Sequence, residues 1–207
     1  MANQLDRPEP PALPLAPGEY NRPYTDQKDN VFRLFFNRIT SVLSAVLTTD
    51  DGGKFIYMPR GLFYSTADQT AAAINTGYPV EFENTYIGNG VSIAGADNTQ
   101  ITVTADGVYN FQVTLQTAHT NSSDVKITTW INKNGTDVAY GGQEQTIKGN
   151  SNQPVFWNFS IDLTAGQYIE MYWATADLAL SLDSTAPTSP HPGIPSAIVA
   201  VSFVSNY

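Results

Sequence analysis

The two histidines are the first residues to consider for chemistry, because imidazole binds metals and transfers protons near neutral pH. His119 follows an alternating apolar stretch, and His191 lies between two prolines. Neither has a partner at the spacing of metal ligands or of a Ser-His-Asp triad, and the chain has no Gly-x-Ser-x-Gly elbow, phosphate-binding loop or cysteine. We therefore expect both histidines to lie in surface loops. We predict no catalytic, cofactor-binding or metal-ligating residue, and no enzyme activity.

Carboxylates are numerous but unevenly distributed. Residues 1–60 contain seven basic and seven acidic residues, whereas residues 61–207 contain three basic and twelve acidic residues and carry the whole formal charge of −9. Such an acidic region disfavours phosphate neutralisation, so nucleic acid is not an expected partner. Asp50-Asp51-Gly52-Gly53 resembles a helix stop rather than a catalytic pair.

Aromatic side chains offer a third kind of chemistry, because Trp130, Trp157, Trp173 and Tyr168 could together form a surface for sugar stacking. Trp157 and Trp173 share a strand face with apolar neighbours, which favours the core or a subunit interface. Trp130 shares its face with Lys126 and Thr128, so it is the best candidate for a surface or inter-subunit contact.

Three kinds of segment position these residues in a chain of 207 residues, of which only 14% are charged. Residues 1–25 are rich in proline and predict an extended anchoring arm. Residues 26–53 predict a helix and turn, capped by Thr25 or Asp26. Apolar side chains with 3-4-3-4 spacing predict either a short trimeric coiled coil or one amphipathic helix packed on its own domain: Phe32, Phe35, Ile39, Val42 and Val46.

The hydrophobic period changes to two over residues 54–207, which predicts an all-β domain. The clearest alternation lies in 109–115 and 155–163. The last stretch, 197–204, is apolar on both faces and predicts a central strand. Asn134-Gly135 and Ala165-Gly166 are turn signals. Other strands are predicted at 79–83, 86–93, 99–104, 125–132, 143–148 and 167–174. Many short antiparallel strands favour a sandwich or jelly roll. No segment reaches the length of about 20 apolar residues that spans a bilayer, so no membrane is expected as a partner.

Within this domain, Gly107-Val108-Tyr109-Asn110-Phe111-Gln112-Val113 resembles the Gly-x-Tyr-x-Phe core of C1q-like domains, the TNF-like jelly rolls. Four further landmarks are in the family's order: Phe82 with Asn89, residues 131–135, 163–169 and 196–205. The resemblance implies an antiparallel jelly-roll sandwich that forms a homotrimer. Trimer-interface candidates are Phe32, Ile39, Tyr109, Phe111, Tyr172, Trp173 and Phe203.

The whole chain also resembles short virion proteins of marine tailed bacteriophages, through residues 21–26, 31–38 and 190–198. This resemblance implies a virion structural protein, either a capsid decoration (cement) or a head-fibre trimer. The expected partners are its own copies and the major capsid protein or another virion protein. Arg22, Tyr24, Arg33 and Phe35 are the candidate anchoring residues. The alternative is a short tail-fibre tip that recognises a host surface glycan.

Overall fold

The computed structural model describes residues 12–13, 18–47 and 58–206, and divides the chain into two compact units, Met1–Tyr57 and Met58–Tyr207. Most of the predicted arm lies outside the described residues, as does the predicted helix stop at 50–53. Leu13 and Tyr20, which belong to the arm, are exposed.

The first unit contains the helix α1, Arg22–Leu47, which begins four residues before the predicted start. The predicted caps Thr25 and Asp26 are therefore wrong. Asn21 caps the helix instead, because its Oδ1 accepts the backbone N–H of Tyr24 at 3.2 Å. Pro23 is compatible with this start, since the first turn needs no backbone donor from it.

The second unit is built of antiparallel strands in two sheets. The first sheet has the order β4-β1-β13-β7, with β10 on the other edge of β7. The short strand β12 pairs with the last residues of β7, and β2 pairs with β12. Its strands are β1 Arg60–Ser65, β2 Gln69–Thr70, β4 Asn84–Asn89, β7 Gly107–His119, β10 Ser151–Leu163, β12 Leu180–Leu182 and β13 Ala197–Ser205.

The second sheet has the order β5-β6-β11-β8-β9, and β3 also pairs with β11. Its strands are β3 Tyr78–Pro79, β5 Val91–Ala94, β6 Gln100–Val103, β8 Val125–Lys133, β9 Thr136–Ile147 and β11 Tyr168–Thr175. The inward faces of both sheets contribute to one hydrophobic core. The described chain is thus mostly antiparallel β-structure with one helix near its N-terminus, in agreement with the predicted all-β sandwich.

The period-two stretches form strands because alternation buries one side of each strand and exposes the other. The predicted strands at 109–115, 125–132, 155–163 and 197–204 lie within β7, β8, β10 and β13, and β13 is central as expected. The predicted turn at Asn134-Gly135 joins β8 to β9, with φ of 51° and 80°. The strand predicted at 86–93 is wrong as one element, because Gly90 at φ 66° separates β4 from β5.

The Gly-x-Tyr-x-Phe segment opens β7 and organises the core beside β13. Gly107 has φ 155°, and a Cβ there would lie 2.2 Å from Cε2 of Phe203, so only glycine leaves room for that ring. Tyr109 packs edge-on against Phe203 with ring centroids 5.6 Å apart, and its hydroxyl donates to the Ala105 carbonyl at 2.7 Å. Phe111 stacks on a ring from β10 at 5.0 Å. The segment therefore fixes the packing of three strands of the first sheet.

Candidate functional site

The outward face of the first sheet carries a row of side chains that crosses four neighbouring strands. The β-sheet register aligns Phe156 of β10 with Thr114 of β7, Thr114 with Ile198 of β13, and Ile198 with Tyr64 of β1. Phe156 is 65% exposed, and the other three are half-buried. A partly apolar row of this length is therefore presented to the outside.

The next row on the same face is formed by Asn158, Gln112, Ala200 and Leu62. Neither row contains a charged residue, although the domain carries most of the chain's acidic groups. We refer to these two rows, without Tyr64, as the uncharged face. Protein interfaces are depleted of charge at their centre, so this face has the composition of a contact surface.

Four of the predicted trimer-interface residues lie elsewhere. Tyr109, Phe111, Trp173 and Phe203 are between 0 and 5% exposed, inside the core of a single chain. Their side chains leave no surface for a neighbouring chain to cover, so their placement at an interface is corrected: they stabilise the sandwich instead. Alternation with polar residues marked them as one face of a strand, and that face is the inner one.

The edge strand β10 has a second row of aromatic and apolar side chains, which point toward the core. Trp157, Phe159 and Ile161 pack against the core but remain half-buried, because β10 pairs only with β7 among the described strands. Trp157 and Phe159 contact each other with ring centroids 4.9 Å apart. The edge of the first sheet is thus incompletely covered within one chain.

The helix α1 carries the other predicted contact residues. Phe32, Phe35, Ile39 and Val42 are half-buried, and the neighbouring Phe36 is 60% exposed. Together they form an apolar stripe more than about 100° wide, as an associating helix requires. Phe32 and Ile39 remain predicted interface residues on this stripe.

The four predicted anchoring residues form two pairs on α1. Residues eleven positions apart lie about 20° apart around an α-helix. Tyr24 and Phe35 therefore share the apolar stripe, whereas Arg22 and Arg33 share the nearly opposite, exposed side. Arg22 lies 3.9 Å from the Asp26 carboxylate, and Arg33 donates to Asn30 Oδ1 at 2.8 Å. One flat partner surface does not reach both pairs at once.

His119 does not lie in a surface loop, which corrects that expectation. It is the last residue of β7, and its side chain is fully buried where β12 and β10 flank the strand. Its Nε2 lies 3.3 Å from Oδ2 of Asp177, while Nδ1 has no hydrogen-bond partner among the described residues. Hydrogen bonds from the Ala179 backbone, Asn121 and His119 lower the pKa of Asp177. No described hydroxyl bonds to His119, so the pair lacks a nucleophile. His191 is exposed, as predicted.

Trp130 and Tyr172 lie side by side on the outward face of the second sheet. Their rings stack with centroids 5.6 Å apart, and Trp130 Nε1 donates to Asp137 Oδ1 at 3.0 Å. The prediction that Trp130 faces the polar side is confirmed. Burial, and then the Glu170 and Asp137 carboxylates, raise the pKa of the Tyr172 hydroxyl. Because Tyr172 is on the other sheet, it does not join the uncharged face.

A cavity of about 370 Å³ lies where the loop between β12 and β13 folds over the end of β1. Two backbone hydrogen bonds between Thr185 and Ile194, at 2.8 and 2.9 Å, hold the two arms of this loop together. Asp68 accepts from the Ser184 N–H at 2.7 Å and from its hydroxyl at 2.9 Å. The cavity is lined by Tyr64, Thr66, Ser184, Thr185, Ala186, Pro187, Pro192, Gly193, Ile194 and Pro195.

No protein-family model matches the chain, and no curated protein matches it. Among the described residues, no group of three or more His, Cys, Asp or Glu side chains is arranged to hold a metal ion. The described helix is not apolar enough to span a membrane.

Sequence reasoning missed the uncharged face and the cavity. The rows of the uncharged face join residues that are far apart in the chain, such as Leu62 and Ala200, and only the sheet register brings them together. The signal that was available is the run of outward apolar residues on the central strand β13, where Ile198 and Ala200 alternate with the buried Val199 and Val201.

Proposed function

We propose that this chain is a non-enzymatic structural protein of a bacteriophage virion, a capsid decoration or head-fibre homotrimer anchored by its N-terminal arm. The observation that carries the proposal is the uncharged face of the first sheet, in a chain whose formal charge is −9. A surface that excludes charge within an acidic domain is suited to permanent contact with copies of the same chain. The resemblance of residues 21–26, 31–38 and 190–198 to phage virion proteins gives the setting.

The proposed fold of the second unit is a C1q/TNF-like jelly roll. Its support is the connectivity: the chain passes repeatedly between the two sheets, and the last strand β13 inserts between β7 and β1 at the centre of the first sheet. Connections of this Greek-key kind are the basis of jelly rolls. In this arrangement the outer surface of the first sheet is free to meet other copies.

The proposed trimer has two contact surfaces, the uncharged face and the apolar stripe of α1. The stripe suits a short parallel three-helix contact, in which Phe32 and Ile39 face the other copies. Arg22 and Arg33 then lie on the outside of the three helices. There they are available to a capsid protein or another virion protein, together with the arm that precedes them.

The test compares phage particles that lack this chain with complete particles and with particles to which the chain has been added back. For a capsid decoration we expect particles without the chain to release DNA at lower temperature or after milder osmotic shock, and added protein to restore their resistance. Host adsorption should stay unchanged. Equal DNA release from both kinds of particle, together with lost adsorption, would refute the decoration role.

The anchoring residues are tested in the same system with full-length variants. Arg22→Ala combined with Arg33→Ala should leave the trimer intact but lower its occupancy on particles. Arg38→Ala, an exposed arginine on the same helix, is the matched control and should bind normally. Normal occupancy of the double variant would remove these two residues from the anchoring site.

A second candidate function is a short tail-fibre tip that recognises a host surface glycan. The cavity beside Tyr64 favours it, because a concave, partly apolar site with convergent hydroxyls suits a small ligand. The particle experiment separates the two functions, since a fibre tip is needed for adsorption and not for the strength of the head.

A further inference from the structure

The cavity at the end of β1 combines two kinds of wall. Three prolines of the loop and the half-buried Tyr64 ring form apolar surfaces. Thr66, Ser184 and Thr185, whose side chains carry hydroxyl groups, also line the cavity. None of the lining residues carries a charge, so the ligand class that fits is uncharged and has both apolar and hydroxyl-bearing surfaces.

Two carboxylates behind the lining fix the direction of its hydroxyl groups. Asp68 accepts from the Ser184 hydroxyl at 2.9 Å, and Glu83 accepts from the Thr66 hydroxyl at 2.9 Å and from its backbone N–H. A hydroxyl that donates to a carboxylate keeps its oxygen lone pairs as acceptors. Ser184 therefore offers acceptors to hydroxyl donors in a ligand, and Thr66, whose oxygen also accepts from Asn84 Nδ2 at 3.5 Å, keeps one further acceptor. Asp68 and Glu83 act as positioning residues.

The pKa directions agree with this geometry. Hydrogen bonds from the backbone and side chain of Ser184 lower the pKa of Asp68. Burial raises the pKa of Glu83, but hydrogen bonds from Ser65, from Thr66 and from the Glu83 backbone together outweigh it and bring the pKa below its usual value. Both groups are carboxylates at neutral pH and accept hydrogen bonds in that state.

The Tyr64 and Thr185 hydroxyls complete the polar set. No other described residue forms a hydrogen bond with either hydroxyl, so each is available as donor and acceptor. A purely apolar ligand would leave these groups unpaired, which is costly once water is displaced. An anionic ligand would find no opposite charge in the lining and two carboxylates directly behind it.

We propose that this cavity binds one ring of a neutral saccharide, whose apolar face packs on Tyr64 and the prolines while its hydroxyls bond to the four lining hydroxyls. The volume of about 370 Å³ is at the lower end of the range of about 300–1,000 Å³ for small-molecule sites. The loop is already tied down by the Thr185–Ile194 and Asp68–Ser184 hydrogen bonds, so little ordering is needed on binding. Sugar binding here does not depend on the capsid role, although it would supply the ligand of a fibre tip.

The test is saturation-transfer difference NMR on the full-length protein, which detects weak ligands of large assemblies. The probes are D-glucose, D-galactose, D-mannose and N-acetyl-D-glucosamine, each up to about 20 mM, which nearly saturates a site with a Kd of about 1 mM. Glucuronate and galacturonate serve as charged counterparts, and a synthetic peptide of residues 1–24 tests a proline-rich occupant.

We expect transfer to at least one neutral sugar and weaker transfer to its charged counterpart. Tyr64→Phe and Thr185→Val each remove one hydroxyl with little change of shape, and each should raise Kd about fivefold, the value of one hydrogen bond. Thr128→Val, at an exposed position on the second sheet, is the matched control and should bind like the natural chain. Circular dichroism of each variant checks that it is folded.

Three results would overturn the proposal: no transfer to any neutral sugar, equal affinity of the Tyr64 and Thr185 variants and the control, or tighter binding of the charged sugars. Displacement of the sugar by the peptide at lower concentration would assign the cavity to a proline-rich segment instead. Because isolated protein is used, each of these results leaves the capsid-decoration proposal standing.

Discussion

Ala200→Glu is the most direct test of the uncharged face as a subunit contact. Ala200 lies on the central strand β13, aligned with Gln112 of β7 on one side and Leu62 of β1 on the other. It is half-buried on the outward side of the sheet, so a glutamate there can reach solvent in a single chain. The substitution should therefore leave the monomer folded and act on association.

The expected magnitude follows from symmetry. An uncompensated charge buried at a contact costs about 3–5 kcal/mol, and neither row of the uncharged face contains a positive charge to pair with the glutamate. A symmetric trimer buries three copies of the glutamate at equivalent sites, so the free energy of association weakens by about 10 kcal/mol. At about 1.4 kcal/mol per tenfold change, the association constant falls by roughly seven orders of magnitude. This loss applies even if the three helices still contact each other.

Light scattering over a dilution series is the assay. The natural chain should keep three times the chain mass of 22.5 kDa at micromolar concentration, while the variant dissociates toward the single-chain mass. Ser202→Glu is the matched control: it lies two residues along the same strand and face, opposite Arg60, where a glutamate finds a positive partner. If Ala200→Glu and the natural chain show the same mass at every concentration, this face is not the contact. A monomeric natural chain would refute the trimer itself.

Two further predictions concern the stability of the second unit. Gly107→Ala should lower the free energy of unfolding by about 3 kcal/mol, because its Cβ would lie 2.2 Å from the Phe203 ring and the strained backbone adds to the overpacking. The control is Gly166→Ala, where φ is 84° but no atom lies within 4 Å, so the loss should be only about 1 kcal/mol. Equal losses for the two variants in urea unfolding would contradict the packing argument. Asp68 has a lowered pKa when folded, so its contribution is present above the unfolded value of about 3.9 and disappears as pH falls through the folded value. The melting temperature of Asp68→Ala should therefore fall less on acidification than that of the natural chain. An equal fall for both proteins would contradict a stabilising role of the Asp68 carboxylate.

The strands of the first sheet show which elements could be predicted from the sequence and which could not. β7 and β10 were predictable because polar and apolar residues alternate along them, and alternation by itself requires one buried side. β1 was not predicted. Its Gly61 interrupts the pattern, and Leu62 and Tyr64, which point outward, are large side chains like the buried Phe63 between them. This six-residue stretch is too short and too little alternating to detect, whereas the longer β13 was recognisable as a continuous apolar run.

The residues of the candidate site were harder to predict than the strands, because they meet only in the folded chain. Local pattern identifies which side chains share a strand face, and it correctly grouped Tyr109 with Phe111, but it does not say whether that face is inward or outward. His119 was placed in a loop because the alternation ends near it, whereas pairing with β12 extends β7 to this residue and buries it. The cavity depends on contacts such as Asp68 with Ser184, which are 116 residues apart.

The two contact surfaces of the proposed trimer, on separate units of the chain, impose one requirement. In this proposal other copies cover both the apolar stripe of α1 and the uncharged face of the first sheet, and a threefold arrangement can satisfy both at once. Three chains then carry three proline-rich arms, with Arg22 and Arg33 of each helix turned away from the stripe. Once one arm docks on a shell, the others bind at high local concentration, and avidity can exceed the affinity of one arm by about 10²–10⁴-fold. In the proposed trimer, weak individual contacts by each short arm are therefore sufficient for stable decoration.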